Sequence, residues 1–318
     1  MSAQLSSARR KGRDRLPELL PSRKHVHPIY PDWRQRRALA KAADADIELC
    51  WACGACDSGC PVSIVSGRLR PGRTVRMAAF GMLDELLRLP DIWYCLGCRR
   101  CLHGCPNRVK PFELHRYLRN EAMARGIYAA GFIGAHHQLF SDFQRVRWRT
   151  AAHCFTDELK TMSSSTWHQW LATPLPKMTH GPIRFGGRAG HAAGDRQVRF
   201  LQGRFCFTCS ECSGCCPITG DKDAFDPQRI IRMVNFGLTD QLLRSPAIWL
   251  CLGCRRCEEA CSQNVKGHEI MRLLQRQAID QGVVDRWFPL RLHQADRIIY
   301  ARFLDEIDLL IGRFRKNL

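Results

Sequence analysis

Cys50, Cys53, Cys56 and Cys60, followed by Pro61, spell C-x2-C-x2-C-x3-C-P. The spacing returns at Cys95, Cys98, Cys101 and Cys105 with Pro106, and at Cys206, Cys209, Cys212 and Cys216 with Pro217. It returns a fourth time at Cys251, Cys254, Cys257 and Cys261, where Ser262 stands in place of the proline. Three thiols at i, i+3 and i+6 let one loop wrap three corners of a polynuclear site. The fourth, pushed on by three residues and held by proline, points toward a neighbour.

The four groups are two copies of a pair. Cys50 to Cys206 and Cys95 to Cys251 are both separated by 156 residues. The same offset relates Pro71 to Pro227, Arg73 to Arg229, Phe80 to Phe236, Gly81 to Gly237, Trp93 to Trp249 and Gly126 to Gly282, with no insertion or deletion. A fixed period over most of the chain is the mark of a repeated structural unit. We expect a basic arm over 1–34, a first domain over 35–149, a linker over 150–200 and a second domain over 201–318 that ends in an amphipathic helix.

No run of the 318 residues approaches the roughly 18–20 apolar residues that cross a bilayer. The first twenty residues are basic, with no apolar segment behind them, so no secretory signal is read there. We expect a cytoplasmic protein, with peripheral association at the inner face of a membrane as a further expectation. A reducing compartment keeps thiols free, so dense cysteine spacing points to metal rather than to disulfides.

Structural zinc uses four ligands in pairs and gives no reason for a triplet with an outlier. Cubane clusters do, because in two-cluster ferredoxins the fourth cysteine of each run ligates the other cluster. We therefore expect four [4Fe-4S] clusters. One is held by Cys50, Cys53, Cys56 and Cys105, and its neighbour by Cys95, Cys98, Cys101 and Cys60. The second repeat holds one on Cys206, Cys209, Cys212 and Cys261, and another on Cys251, Cys254, Cys257 and Cys216. Cys154 and Cys215 are left over and are read as spectators.

The formal net charge of +19 calls for an acidic partner or an anionic surface. Four clusters with their thiolates would lower it to about +11. No segment interleaves basic and aromatic residues as a nucleic-acid reader does, so nucleic acid is not expected as a partner. Arg99 and Arg100, like Arg255 and Arg256, lie between cysteines, where positive charge favours the reduced cluster. Trp93 and Trp249 precede a cysteine and either shield a cluster or fill a core.

The coarse structure is helical. Asp226-Pro227 and Pro71 open helices that Gly237 and Gly81 should end in the left-handed conformation. Leu114, Tyr117, Leu118 and Ala122, with Ile270, Leu273, Leu274 and Ala278, recur at helical spacing. From Ala295, the residues Ile299, Phe303, Ile307, Leu310 and Phe314 form one stripe, expected to cover the second domain's own core.

The match becomes specific at P-x-R-x-x-R-M, then F-G, then L-L-R-x-P-x-I-W-x-C-x-x-C-x-x-C, joined to the preceding cysteine run. This resembles the C subunit of heterodisulfide reductases over residues 45–126 and again over 201–282. The resemblance implies a mainly α protein of two tandem α-helical ferredoxin domains, each with two cluster-binding motifs. It also implies an electron-transfer subunit that works between a flavin-containing subunit and a cysteine-rich, disulfide- or sulfur-active subunit, with no catalytic side chains of its own. The alternative is the iron-sulfur subunit of a respiratory dehydrogenase that passes electrons toward quinone.

Overall fold

A computed structural model of the chain describes residues 30–155, 164–175 and 203–316. Most of the arm and much of the linker expected from sequence lie outside these ranges. Among the described residues there are helices and no strands, apart from one isolated bridge between Tyr128 and Arg315. Among the described residues no helix is long and apolar enough to cross a membrane.

In the first repeat, α1 spans Trp33–Ala43, with Asp32 accepting the Gln35 N–H at 2.9 Å as its cap. Helix α2 (Pro71–Ala79) opens on its proline and buries Thr74, Val75 and Ala78. Gly81, at φ +77, ends that run, and α3 (Leu83–Arg88) follows. Helix α4 (Pro111–Ala124) buries Leu114, Leu118 and Ala122 at the predicted spacing. Helix α5 (Phe132–Phe155) continues past position 149 because Thr150, Ala151 and Cys154 face inward. A further helix, α6 (Ser164–Ala172), lies within the segment read as aperiodic and sets Trp167 into the first core.

The second repeat rebuilds the first. Helix α7 (Pro227–Asn235) is capped by Asp226, which accepts the Gln228 N–H at 3.0 Å. Gly237, at φ +73, leads to α8 (Thr239–Leu243). Helix α9 (Gly267–Asp280) buries Ile270, Leu274 and Ala278. Helix α10 (Phe288–Phe314) starts seven residues before the expected stripe, with Pro289 in its first turn.

Helices α5 and α10 occupy the same place in the two repeats, and each is shared by both cores. Phe132, Phe143 and Val146 of α5 lie in the first core, whereas Ala151 and Cys154 lie in the second. Phe288 and Ala295 of α10 lie in the second core, whereas Ile299, Phe303, Leu304, Ile307 and Ile311 lie in the first. The helices meet where Phe143 stacks on Phe303, with ring centroids 4.0 Å apart, and presents its edge to Tyr300 at 4.9 Å. The expected apolar stripe of α10 is thus buried, but against the other repeat. Burying a side chain such as Ile299 or Phe303 stabilises by about 1.5–3 kcal/mol, so this exchange binds the halves strongly. Polar contacts reinforce it: Arg68 pairs with Asp305 at 2.7 Å and with Asp308, and the Tyr94 hydroxyl donates to Asp308 at 2.5 Å.

Candidate metal centres

Each cysteine loop is curled by its backbone. The residues on either side of the second cysteine have positive φ in all four loops: Ala52 and Gly54, Gly97 and Arg99, Thr208 and Ser210, Gly253 and Arg255. Only glycine adopts this region without strain; for the others it costs roughly 1–2 kcal/mol. Such alternation turns successive N–H groups inward into a concavity suited to negative charge. Accordingly the amides of Ala52, Gly97 and Gly253 donate to the sulfurs of Cys50, Cys95 and Cys251, each at 3.4 Å. At the outlying cysteines, Val109 N–H donates to Cys105 and Val265 N–H to Cys261, also at 3.4 Å. Sequence reasoning did not anticipate these turns; glycines 54, 97 and 253 are the residues that could have signalled them, whereas Ala52, Arg99, Thr208, Ser210 and Arg255 carry no such signal.

The loops close around four hollows. One of about 390 Å³ is lined by Cys50, Cys53, Cys56 and Cys105, and one of about 330 Å³ by Cys60, Cys95, Cys98 and Cys101. In the second repeat, Cys206, Cys209, Cys212 and Cys261 line about 370 Å³, with Cys257 also at its wall, and Cys216, Cys251, Cys254 and Cys257 line about 360 Å³. The last cysteine of each run sits with the first three of the other run in its repeat. Among the described residues no three such side chains converge tightly enough to grip one ion. The thiols instead stand around spaces with room for a polynuclear group.

Burial dominates their acid strength. It pushes Cys56 up to about 12, helped by Asp57 and Cys50, and Cys60 up to about 11, helped by Cys95. Cys98 rises to about 12 through burial and then through Cys95, Cys60 and Cys254; Cys101 is raised further by burial and by Cys95, Cys98, Cys60 and Cys56. In the second repeat burial takes Cys212 and Cys251 to about 12 and Cys216 to about 11, and raises Cys257 further. Four thiols crowded in a low dielectric oppose one another's ionisation. A multiply charged iron core reverses that balance, since coordinated thiols are deprotonated outright. The donor set and the inward N–H groups therefore fit such a core.

The two halves meet at their inner cysteine loops. Arg100 donates to the Leu252 carbonyl at 3.4 Å, and its counterpart Arg256 donates to the Gly97 carbonyl at 3.1 Å. Gly97 and Leu252 are themselves neighbours of equivalent positions in their loops. The contact is thus near-symmetric about an approximate two-fold axis. Cys254, the counterpart of Cys98, is also among the groups that raise the Cys98 thiol.

The arginines that sequence treated alike have separate duties. Arg99 and Arg255 line the inner hollows, and Arg99 also stacks over Phe112 at 4.9 Å, with Glu113 at 3.9 Å. Arg100 and Arg256 cross to the other repeat. Half-buried Arg119, which sequence reasoning missed, donates to the carbonyls of Ile92 at 2.5 Å and Cys95 at 2.6 Å. Its counterpart Gln275 donates to the Ile248 carbonyl at 2.8 Å. Trp93 packs among Tyr128, Phe132 and His136, and Trp249 packs on Phe288; neither lines a hollow. Cys154 is fully buried in the second core. Cys215 donates to the carbonyls of Cys212 and Arg256 and lines none of the four hollows.

Two family models, each described as a 4Fe-4S dicluster domain, match residues 32–109 and 205–266. The C subunit of the H(2):CoB-CoM heterodisulfide,ferredoxin reductase of Methanothermobacter marburgensis is 36% identical over 107 residues, covering 32% of this chain and 53% of that protein. The iron-sulfur C2 subunit of the CoB–CoM heterodisulfide reductase of Methanocaldococcus jannaschii is 41% identical over 83 residues, or 25% of this chain and 42% of its own. The chain thus has two 4Fe-4S dicluster domains and is similar, over part of its length, to heterodisulfide reductase C subunits. A protein of Archaeoglobus profundus, itself named for likeness to the heterodisulfide reductase C subunit, adds 42% identity over 65 residues, 20% of this chain and 35% of the other. The chain spans between about a third and a half of the length of these relatives. It has two dicluster domains in tandem, and electron transfer is the chemistry such domains serve.

Proposed function

We propose that this chain holds four [4Fe-4S] clusters and carries electrons within a heterodisulfide reductase-like complex. Its partners would be a flavin-containing subunit and a cysteine-rich subunit active on disulfide or related sulfur compounds. The ligands are those lining the four hollows: Cys50, Cys53, Cys56 and Cys105; Cys60, Cys95, Cys98 and Cys101; Cys216, Cys251, Cys254 and Cys257; Cys206, Cys209, Cys212 and Cys261. When bound, each cluster would accept and release one electron at modest structural cost.

The observation that carries this reading is the reciprocal contact of Arg100 with Leu252 and Arg256 with Gly97, which sets the two inner sites side by side. Two modules tethered only by a linker would give two independent carriers; modules locked at their inner loops give one path from end to end. At the ends, Cys53 and Cys209 are exposed, and the neighbouring Trp51 and Phe207 stand 78% and 58% exposed at equivalent positions. Aromatic side chains left in water beside the outer sites suit contact with partner proteins. The chain's own residues do the remaining work. Thiolates fix the clusters, inward amides stabilise their negative charge, and Leu96, Leu252, Val62 and Ile218 keep water from the inner pair.

Anaerobic purification followed by iron and sulfide analysis tests the count: about sixteen irons per chain are expected. Full dithionite reduction should give paramagnetic resonance spectra broadened by spin coupling between neighbouring clusters. Far less iron, or a zinc-loaded chain silent to reductant, would refute the reading. Co-purification that brings down neither a flavoprotein nor a cysteine-rich protein would refute the assignment of partners.

A further inference from the structure

The inner hollows of the two repeats are duplicates almost position for position. Cys60, Pro61, Leu69, Pro71, Leu96 and Arg99 in one wall correspond to Cys216, Pro217, Phe225, Pro227, Leu252 and Arg255 in the other. At one shared wall position the chemistry changes. His115 of α4 lines the first hollow, and Met271, 156 residues later on α9, lines the second.

His115 is 2% exposed, and neither of its ring nitrogens has a hydrogen-bond partner in the protein. Leaving a buried donor unpaired costs about 1–3 kcal/mol, so an orphan at this depth calls for a partner outside the polypeptide. Burial and the nearby Arg119 push its pKa down to about 3. In either protonation state the ring carries at least one N–H. The second hollow also has a buried histidine on its wall, His268, whose ring nitrogens lie 2.7 Å from Glu258 and 2.8 Å from Glu269 but make no well-aligned hydrogen bond to either. His115 lines a space otherwise walled by four sulfurs, apolar carbon and Arg99.

We propose that His115 donates its ring N–H to a sulfur of the cluster held by Cys60, Cys95, Cys98 and Cys101, and so raises that cluster's reduction potential. The inference rests on the cluster reading above. Hydrogen bonds to cluster or ligand sulfur stabilise the more negative, reduced state, and their number is one of the main determinants of potential. Met271 has no proton to offer, so the second inner site lacks a donor at this position, and its histidine, His268, stands instead against two carboxylates. The duplicated chain thus has a way to set its two halves at different potentials with one side chain.

The test is a redox titration of the anaerobic full-length chain followed by paramagnetic resonance, with iron content measured on each sample. In His115→Met, which installs the residue of the other repeat, one midpoint should move to a more negative potential with iron retained. His115→Gln, which keeps an N–H donor, should recover part of the shift, and Met271→His should move a different midpoint upward. In the unaltered protein labelled with 15N-histidine, pulsed paramagnetic resonance should show nitrogen coupled to one reduced cluster, a measurement that needs no variant to fold. A cluster-loaded protein with no histidine nitrogen coupling, or unchanged midpoints in both His115→Met and Met271→His, overturns the inference and leaves the cluster reading standing. Absence of iron in the unaltered protein overturns both.

Discussion

His103 and Glu259 hold the same position in the two repeats, and His103 Nε2 lies 3.0 Å from Glu259 Oε1. A residue that touches its own counterpart lies on the axis relating the two copies. On either side, Arg100 and Arg256 each donate to a backbone carbonyl of the other half. The duplication has therefore kept a pairing that two separate copies could form as a dimer, and the covalent link makes it permanent.

This arrangement predicts which contact matters. His103 and Glu259 are both about 40% exposed, so Glu259→Gln should cost no more than about 1 kcal/mol. Arg256→Met leaves the Gly97 carbonyl without its charged donor and should cost about 1.5–3 kcal/mol. Denaturant unfolding of the cluster-loaded protein ranks the two. The Arg256 variant should also weaken the spin coupling between inner clusters, which Glu259→Gln should leave intact. The reverse ranking would mean that the arginines do not lock the halves together.

The crossed ligand assignment predicts matching spectra. Cys105→Ser should perturb the same cluster signal as Cys53→Ser, because both line the first outer hollow. It should differ from Cys98→Ser, although Cys98 is the closer of the two in sequence. If Cys105→Ser instead matches Cys98→Ser in paramagnetic resonance, each run holds its own cluster.

Gly81 and Gly237 separate backbone strain from steric fit. Both have φ near +75, so replacement by alanine costs about 1–2 kcal/mol at either position. A Cβ on Gly81 would stand 2.4 Å from the Asp32 carbonyl oxygen, whereas one on Gly237 meets nothing within 4 Å. Gly81→Ala should therefore destabilise clearly more than Gly237→Ala, by dislodging the start of α1. Thermal unfolding of the two variants is sufficient to decide.

Acid should weaken the first repeat through His136. Its Nε2–H donates to the Trp93 carbonyl at 3.0 Å, and burial, with Arg119, lowers its pKa from 6.5 to about 4. The unfolded chain takes up the proton first, so stability is lost as pH falls from about 6.5 toward 4 and the loss is complete below that. Over this window the group accounts for about 3 kcal/mol. His136→Leu should flatten the pH dependence of the unfolding free energy between pH 7 and 4, while forfeiting about 1 kcal/mol at neutral pH with the lost hydrogen bond.

Much of the local structure was legible because it depends on neighbours in sequence. Asp226 and Pro227 start a helix by satisfying or lacking specific N–H groups, and Gly81 and Gly237 stop one by tolerating positive φ. The stripe from Ile299 to Phe314 marked an apolar helix face. It did not say what the face would cover, since period alone carries no address. The left-handed conformation of Ala52, Thr208, Ser210, Arg99 and Arg255 was also hidden, because the loop imposes it against the residues' own preference.

The sequence alone determined that this chain has two copies of a helical unit with thiols in four groups of four, because ligand spacing and helix signals act over a few residues. Only the tertiary structure decided that α5 and α10 cross into each other's cores, that Arg100 and Arg256 lock the inner loops together, and that His115 lines a sulfur-walled hollow without a partner. Those relations join residues more than a hundred positions apart or depend on what burial leaves unpaired. They are fixed by the burial of apolar faces and the need to satisfy buried polar groups, neither of which is written at any one position.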